Sequence, residues 1–295
     1  MTIQRLGVIG CGLMGSGIAQ CAAEAGCLVW VKEADEALLA KGLARIHGAW
    51  ERAVTKGKIT DQQRGEWRGN LTGTLAFASL SECELVVEAI PERLDLKLQT
   101  FLELDHVLGP SALLCTNTSS LSVAQLSPAL APQRLARLAG LHFFNPVPAM
   151  PLVEIIRTLA TDEATLESLR GFVQRLGKTA VMAPDAPGFV VNRLLVPYLL
   201  DALRCAEQRL ASVEDLDAAM KLGCGHPMGP LHLSDFIGLD TMQSVAEVLF
   251  DAFGEPRFKA PALLRQLVAA GRLGRKSGSG FYRWEGEKRM EALPL

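Results

Sequence analysis

The sequence predicts an α/β protein, a doubly wound N-terminal sheet followed by a second, smaller, all-α C-terminal domain. Three observations predict it. First, an apolar run, Leu6-Gly7-Val8-Ile9, ends in Gly10-Cys11-Gly12-Leu13-Met14-Gly15, and Ile18, Ala19, Ala22 and Ala23 then follow at helical spacing. Second, short apolar runs alternate with helical patterns as far as Met182. Third, the strand-like runs vanish beyond Pro184-Asp185-Ala186-Pro187-Gly188, a segment with the composition of a linker. The expected domains are residues 1–185 and 186–295.

Taken in order, Leu28-Val29-Trp30-Val31 is the second strand, ending at Lys32-Glu33. Strand, glycine turn, helix and strand within about thirty residues is the opening unit of a Rossmann-type sheet. Leu85-Val86-Val87 is the next buried run. Pro91 stands where a helix can begin, because its missing N–H has no partner there anyway. Leu94, Leu98, Phe101 and Leu102 then give that helix one apolar face. Leu113 to Cys115, Ala139 to Phe143, Leu152 to Ile156 and Thr179 to Met182 read as further strands. In the second domain Val191, Leu194, Leu195, Tyr198, Leu199 and Ala202 form a helical stripe interrupted by Pro197. Helical patterns also cover 212–222, 238–252 and 261–270. The tail after Trp284 has little to bury and reads as disordered.

Composition narrows the function. With 30 Lys+Arg against 32 Asp+Glu the net charge is −2, and only two Tyr are present. Such a chain has neither a basic stripe nor many stacking platforms, which argues against nucleic acid as a partner. The longest uncharged stretch, Val107 to Gln133, is broken by Pro110, Pro128 and Pro132, so no membrane span is expected. Seven cysteines include no Cys-x-x-Cys pair, and Cys224-Gly-His226 lacks further ligands, so neither disulfides nor a metal is indicated. The N-terminus lacks a secretory layout. A reducing, cytoplasmic setting is expected.

The glycine loop carries the first chemistry. Gly10 permits a tight turn, Gly12 lets the backbone approach a pyrophosphate, and Gly15 lets the helix pack closely on the sheet. The helix N-terminus adds unpaired N–H groups and partial positive charge. Glu33, 23 residues after Gly10, falls at the end of the second strand. There a carboxylate accepts from both ribose hydroxyls and repels a 2′-phosphate, favouring NAD over NADP. Lys32 beside it works against that selectivity.

A second cluster comprises Thr116-Asn117-Thr118-Ser119-Ser120 after a strand, then His142-Phe143-Phe144-Asn145-Pro146, then Glu154. In doubly wound sheets, ligands bind beyond the carboxyl ends of strands. His142 lies within sixteen residues, Leu138 to Val153, that carry no charged side chain. It is either a satisfied core histidine or a general base. Glu154, in an apolar strand, needs a partner. That partner is His142, whose basicity it would raise, or an arginine such as Arg157. Asn192, at the start of the second domain's long helix, is either a helix-end residue or a group facing a cleft.

Together these residues resemble the 3-hydroxyacyl-CoA dehydrogenase family, and in size its stand-alone 3-hydroxybutyryl-CoA dehydrogenases. The matching segments are 7–20, 86–97, 116–122, 140–156, 187–198, 221–240 and 274–282, so the likeness spans nearly the whole chain. The resemblance implies NAD-dependent, reversible oxidation of an (S)-3-hydroxyacyl-CoA. It implies His142 as the general base oriented by Glu154, with Ser119 and Asn192 bonding the reacting oxygen. Cofactor contacts would come from Gly10, Gly12, Leu13, Met14 and Gly15, together with Glu33, Glu92, Lys97, Asn117 and Lys276. Lys56 would meet the phosphates of coenzyme A, and the helical domain would form a homodimer interface. Relatives that act on carrier-protein thioesters or small sugar acids would look alike at these positions. A non-catalytic NAD-binding protein is the reading from a different class, which retention of all four reacting-centre residues opposes.

Overall fold

A computed structural model describes residues 2–294, and they divide into two compact units, Met1–Phe189 and Val190–Leu295. In the first unit β1 (Arg5–Ile9), α1 (Leu13–Glu24) and β2 (Leu28–Lys32) form the opening βαβ. Then come α2 (Glu36–Thr55), α3 (Asp61–Gly69), β3 (Leu71–Thr74), β4 (Leu85–Glu88) and α4 (Leu94–Val107). The unit closes with β5 (Leu113–Thr116), β6 (Leu138–Phe143), β7 (Leu152–Arg157), α5 (Glu163–Arg175) and β8 (Thr179–Pro184).

The eight strands form one sheet in the order β3-β2-β1-β4-β5-β6-β7-β8. Neighbours are parallel except β6 and β7, which run antiparallel. Strand order therefore reverses at β1, with β2 on one side and β4 on the other, and the crevice for a ligand opens there. Parallel strands are covered on both faces and so read as continuous apolar runs. β4 and β5 are buried at every residue. Ile18, Ala19, Ala22 and Ala23 of α1 pack against Leu6, Val8, Val29 and Val31 in the main core.

Capping explains where several helices begin. The Asp35 carboxylate accepts the Leu38 N–H at the start of α2. Thr60 and Gln63 exchange hydrogen bonds in a capping box at the start of α3. Two expectations need correction at α4. It starts at Leu94, with Arg93 rather than Pro91 beside its first turn. Its buried side chains are Lys97, Thr100, Phe101 and Leu104, while Leu102 is exposed. An apolar-period reading misses this face because a lysine sits on it.

The second unit contains α6 (Val191–Glu207), α7 (Val213–Cys224), α8 (Pro230–Ile237), α9 (Leu239–Phe253), α10 (Ala262–Ala269) and a hairpin of β9 (Tyr282–Glu285) and β10 (Lys288–Ala292). Pro197 lies inside α6, where its missing N–H leaves one helical hydrogen bond unmade. The stripe that α6 buries is Val196, Leu199, Leu200, Leu203 and Ala206; Leu194, expected inside, is exposed.

The unit is not all helix, and the tail is not structureless. β10 pairs antiparallel with β9. The buried Asp235 carboxylate holds the hairpin by accepting the Phe281 and Tyr282 N–H groups and the Trp284 indole N–H at 2.8–2.9 Å.

Candidate active site

At the turn from β1 to α1, Gly10 has φ +88°, and a side chain there would also run into the Ala89 carbonyl at 2.8 Å. A Cβ on Gly15 would lie 1.8 Å from the Gly10 carbonyl oxygen, so helix and turn touch backbone to backbone. Gly12 differs: nothing lies within 4 Å of where its Cβ would be. That open backbone is what a pyrophosphate needs in order to reach the first N–H groups of α1. Leu13 is exposed and Met14 half-buried beside it.

Glu33 follows β2 directly. Its carboxylate accepts the Cys11 N–H at 2.5 Å and the Ala34 N–H at 3.0 Å. Each oxygen retains capacity for a further donor, such as a ribose hydroxyl. The same turn is gripped from α2, where Arg45 donates to the Cys11 carbonyl at 3.1 Å. Lys32 precedes Glu33 at the end of β2. Its ammonium lies 4.1 Å from the centre of the Phe77 ring. Burial lowers its pKa, against the opposing pull of Glu33 and Glu103.

Beyond β4 and β5 lies a charged network that the sequence reading did not assemble. Lys97 on α4, 1% exposed, donates to both oxygens of Glu88 at 2.7 and 2.8 Å. It also pairs with Glu92 at 3.1 Å. The remaining contacts of Glu88 include the Ile90 N–H and the Thr116 hydroxyl, each at 2.7 Å. Glu92 accepts the Thr118 hydroxyl at 2.5 Å, the Ser119 N–H at 3.1 Å, and both the N–H and hydroxyl of Ser120. Glu92 therefore shapes the segment that carries Ser119. Burial works to raise its pKa, but Lys97 and the donors of Thr118 and Ser119 bring it below the ordinary value. Lys97, expected to touch a cofactor, lies between the carboxylates of Glu88 and Glu92.

Asn117 ties that segment to the next strand. Its side-chain oxygen accepts the Phe143 N–H at 2.9 Å, which joins the end of β5 to the end of β6. One residue earlier, His142 stands opposite Glu154 in the antiparallel register of β6 and β7. His142 Nδ1 donates to Glu154 Oε2 at 2.7 Å. His142 is 6% exposed and Glu154 0%. With Glu154 as acceptor, Nδ1 carries a proton, so in the neutral imidazole the lone pair lies on Nε2. Of the two partners the sequence left open for Glu154, the structure supplies the histidine. Arg157 pairs with Glu163 at 2.6 Å.

Two aromatic rings flank the imidazole, Phe144 with its centroid at 4.5 Å and Phe189 at 5.6 Å. Phe189 is buried and has φ +46°, a left-handed conformation that costs a bulky side chain about 1–3 kcal/mol. Sequence reasoning missed Phe189 altogether. Glu88, by contrast, had a signal, a carboxylate closing a buried apolar run, the same feature that drew attention to Glu154.

Three further candidates are carried by other elements. Lys56 is exposed at the C-terminal end of α2. In the second unit, Asn192 is the second residue of α6. Lys276 is exposed and pairs with both oxygens of Asp240 at 2.5–2.6 Å. Among the described residues no group of three or more His, Cys, Asp or Glu is placed to hold a metal ion. No helix among them is long and apolar enough to cross a membrane.

A sheet with an open glycine turn after β1 and a buried, carboxylate-paired imidazole on β6 has the layout of a dinucleotide-dependent dehydrogenase. Comparison with known proteins narrows that class. The NAD-binding domain of 3-hydroxyacyl-CoA dehydrogenase matches residues 5–186, and the C-terminal domain of the same enzyme matches residues 188–284. The chain belongs to the 3-hydroxyacyl-CoA dehydrogenase family, and its N-terminal part is the family's NAD-binding domain. A 3-hydroxybutyryl-CoA dehydrogenase of Mycobacterium tuberculosis is 50% identical over 95% of this chain and 98% of its own. The mitochondrial hydroxyacyl-coenzyme A dehydrogenase of Rattus norvegicus is 44% identical over 96% of this chain and 92% of its own. The crystal structure of (S)-3-hydroxybutyryl-CoA dehydrogenase PaaH1 from Ralstonia eutropha superposes with a TM-score of 0.92 at 39% identity, covering 96% of this chain and 100% of that one.

Proposed function

We propose that this protein oxidises (S)-3-hydroxybutyryl-CoA to acetoacetyl-CoA, reversibly, with NAD as acceptor. The observation that carries the reading is the His142–Glu154 pair, 2.7 Å apart and buried in the NAD-binding domain. Oxidation of a secondary alcohol removes a hydride from carbon and a proton from oxygen. NAD, when bound, supplies the acceptor for the hydride. The proton goes to Nε2 of His142, whose other nitrogen is already committed to Glu154, and Glu154 steadies the imidazolium that results.

Ser119 and Asn192 are assigned to the reacting oxygen, as donors to the carbonyl it becomes. Glu92, with Lys97 behind it, fixes the Ser119 segment, and Asn117 links that segment to the histidine strand. On the cofactor side, Gly10, Gly12, Leu13, Met14 and Gly15 receive the pyrophosphate, Glu33 reads the ribose, and Lys276 adds a cation. Lys56 is assigned to the coenzyme A phosphates, where an exposed ammonium is a suitable point charge. The working form is read as a cytoplasmic homodimer associated through its helical unit.

His142→Gln tests the assignment. It should lower kcat by about 10²–10⁴-fold while the Kd for NADH, measured by titration, stays within about twofold. Equal losses of binding and turnover would place His142 in the structural core instead.

A further inference from the structure

Lys32 is adjacent to the carboxylate that is read as the ribose contact, and an ammonium there would attract a 2′-phosphate. We propose that Phe77 is a specificity-determining residue, holding the Lys32 ammonium against its ring and thereby keeping the site selective for NAD over NADP. This rests on the reading of Glu33 as the adenosine-ribose contact.

The geometry supports it from both sides. Lys32 is the last residue of β2, and Phe77 opens a short 3₁₀ turn, Phe77–Leu80, that packs on that strand after β3. The ammonium sits 4.1 Å from the ring centroid and is partly withdrawn from solvent. A cation over an aromatic face is held by the ring quadrupole. Glu33, by contrast, is fixed at the glycine turn by the Cys11 and Ala34 N–H groups. Trp30 and Lys32 alternate along β2 with the buried Val29 and Val31, so the lysine leaves the strand on the face opposite that series. The Glu33 carboxylate stays at the corner, with the Arg45 guanidinium bound to the Cys11 carbonyl of the same turn, and a 2′-phosphate must approach that carboxylate. A lysine freed from the ring has a flexible four-carbon stem with which to swing toward that phosphate.

The test is dinucleotide binding, measured as Kd for NADH and NADPH by calorimetry on the whole protein. Phe77→Leu keeps an apolar side chain but removes the ring. It should tighten NADPH about three- to tenfold while NADH stays within about twofold. Lys32→Ala alone should leave NADPH no weaker than in the unaltered protein, because the lysine is already held away. The double variant should behave as Lys32→Ala. An unchanged NADPH:NADH ratio in Phe77→Leu overturns the proposal. So does a double variant that binds NADPH as tightly as Phe77→Leu, or a Lys32→Ala variant that binds it more weakly than the unaltered protein. Glu33→Gln separates the underlying reading, since it should weaken NADH several-fold. NADH binding indifferent to Glu33→Gln, or absent from the start, removes the ribose assignment and this inference with it.

Discussion

Gly12 and Gly15 stand three residues apart in one loop and answer to different constraints. A methyl group on Gly15 meets the Gly10 carbonyl oxygen, so Gly15→Ala should destabilise the fold by about 1–3 kcal/mol. A methyl group on Gly12 meets nothing in the protein. Gly12→Ala should therefore keep the urea midpoint and lose NADH affinity. Paired measurement of both quantities checks the assignment, and a destabilised Gly12→Ala would show that the loop's open face is structural. Glu92 gives a prediction with a sign. Its folded pKa is lowered, so its contribution to stability is fully present above the ordinary value of 4.5. That contribution is lost as pH falls below 4.5 toward the lowered value. Urea midpoints followed from pH 6 to about pH 3 should fall more steeply in the unaltered protein than in Glu92→Gln. At this scale the candidate site was largely legible. Glycine spacing, the strand-end acid and a histidine in an uncharged stretch are all visible in residue order. The burial of Lys97 was not, because a lysine enclosed between two carboxylates depends on strands 28 residues apart meeting at Glu88 and Thr116.

At the scale of elements, the β-runs and the opening βαβ unit could be read because a parallel sheet covered on both faces leaves continuous apolar strings. β3 could not, since Leu71-Thr72-Gly73-Thr74 is a partly exposed edge strand with one large apolar residue. The α6 stripe was placed only in part, for a related reason: Leu199 is buried and Leu195, Tyr198 and Ala202 pack on the core, but Leu194 is exposed and Val196, Leu200, Leu203 and Ala206 were missed. A helix rich in leucine all round gives a periodicity reading several faces to choose from, and the packing partners decide. The terminal hairpin escaped notice because its anchor is remote: Asp235, on α8, is 46 residues from Phe281, the first of the N–H donors it accepts from. Asp235→Ala should leave the Phe281 and Tyr282 N–H groups and the Trp284 indole buried without partners, at about 1–3 kcal/mol each. Hydrogen exchange at Phe281 and Tyr282 should accelerate well beyond that elsewhere in the second unit. Unchanged protection at both would mean that the β9–β10 pairing holds without this carboxylate.

At the scale of the whole molecule, the two parts of the chain differ in content. The N-terminal unit holds the open glycine turn and the imidazole–carboxylate pair, and the second unit contains Asn192 and Lys276, proposed above for the reacting oxygen and the cofactor. Residue order identified the family because long segments from both parts match it. Acyl preference is a different matter, since it depends on the shape of a cavity that no run of residues specifies. The proposed dimer carries its own expectation, a single species of twice 31.8 kDa in sedimentation. The most direct test of the central claim is absorbance at the reduced-nicotinamide band, with NADH as donor and acetoacetyl-CoA or free acetoacetate in parallel. The account predicts oxidation of NADH with the thioester and almost none with the free acid. Turnover of both alike, or of neither while NADH still binds, would contradict it.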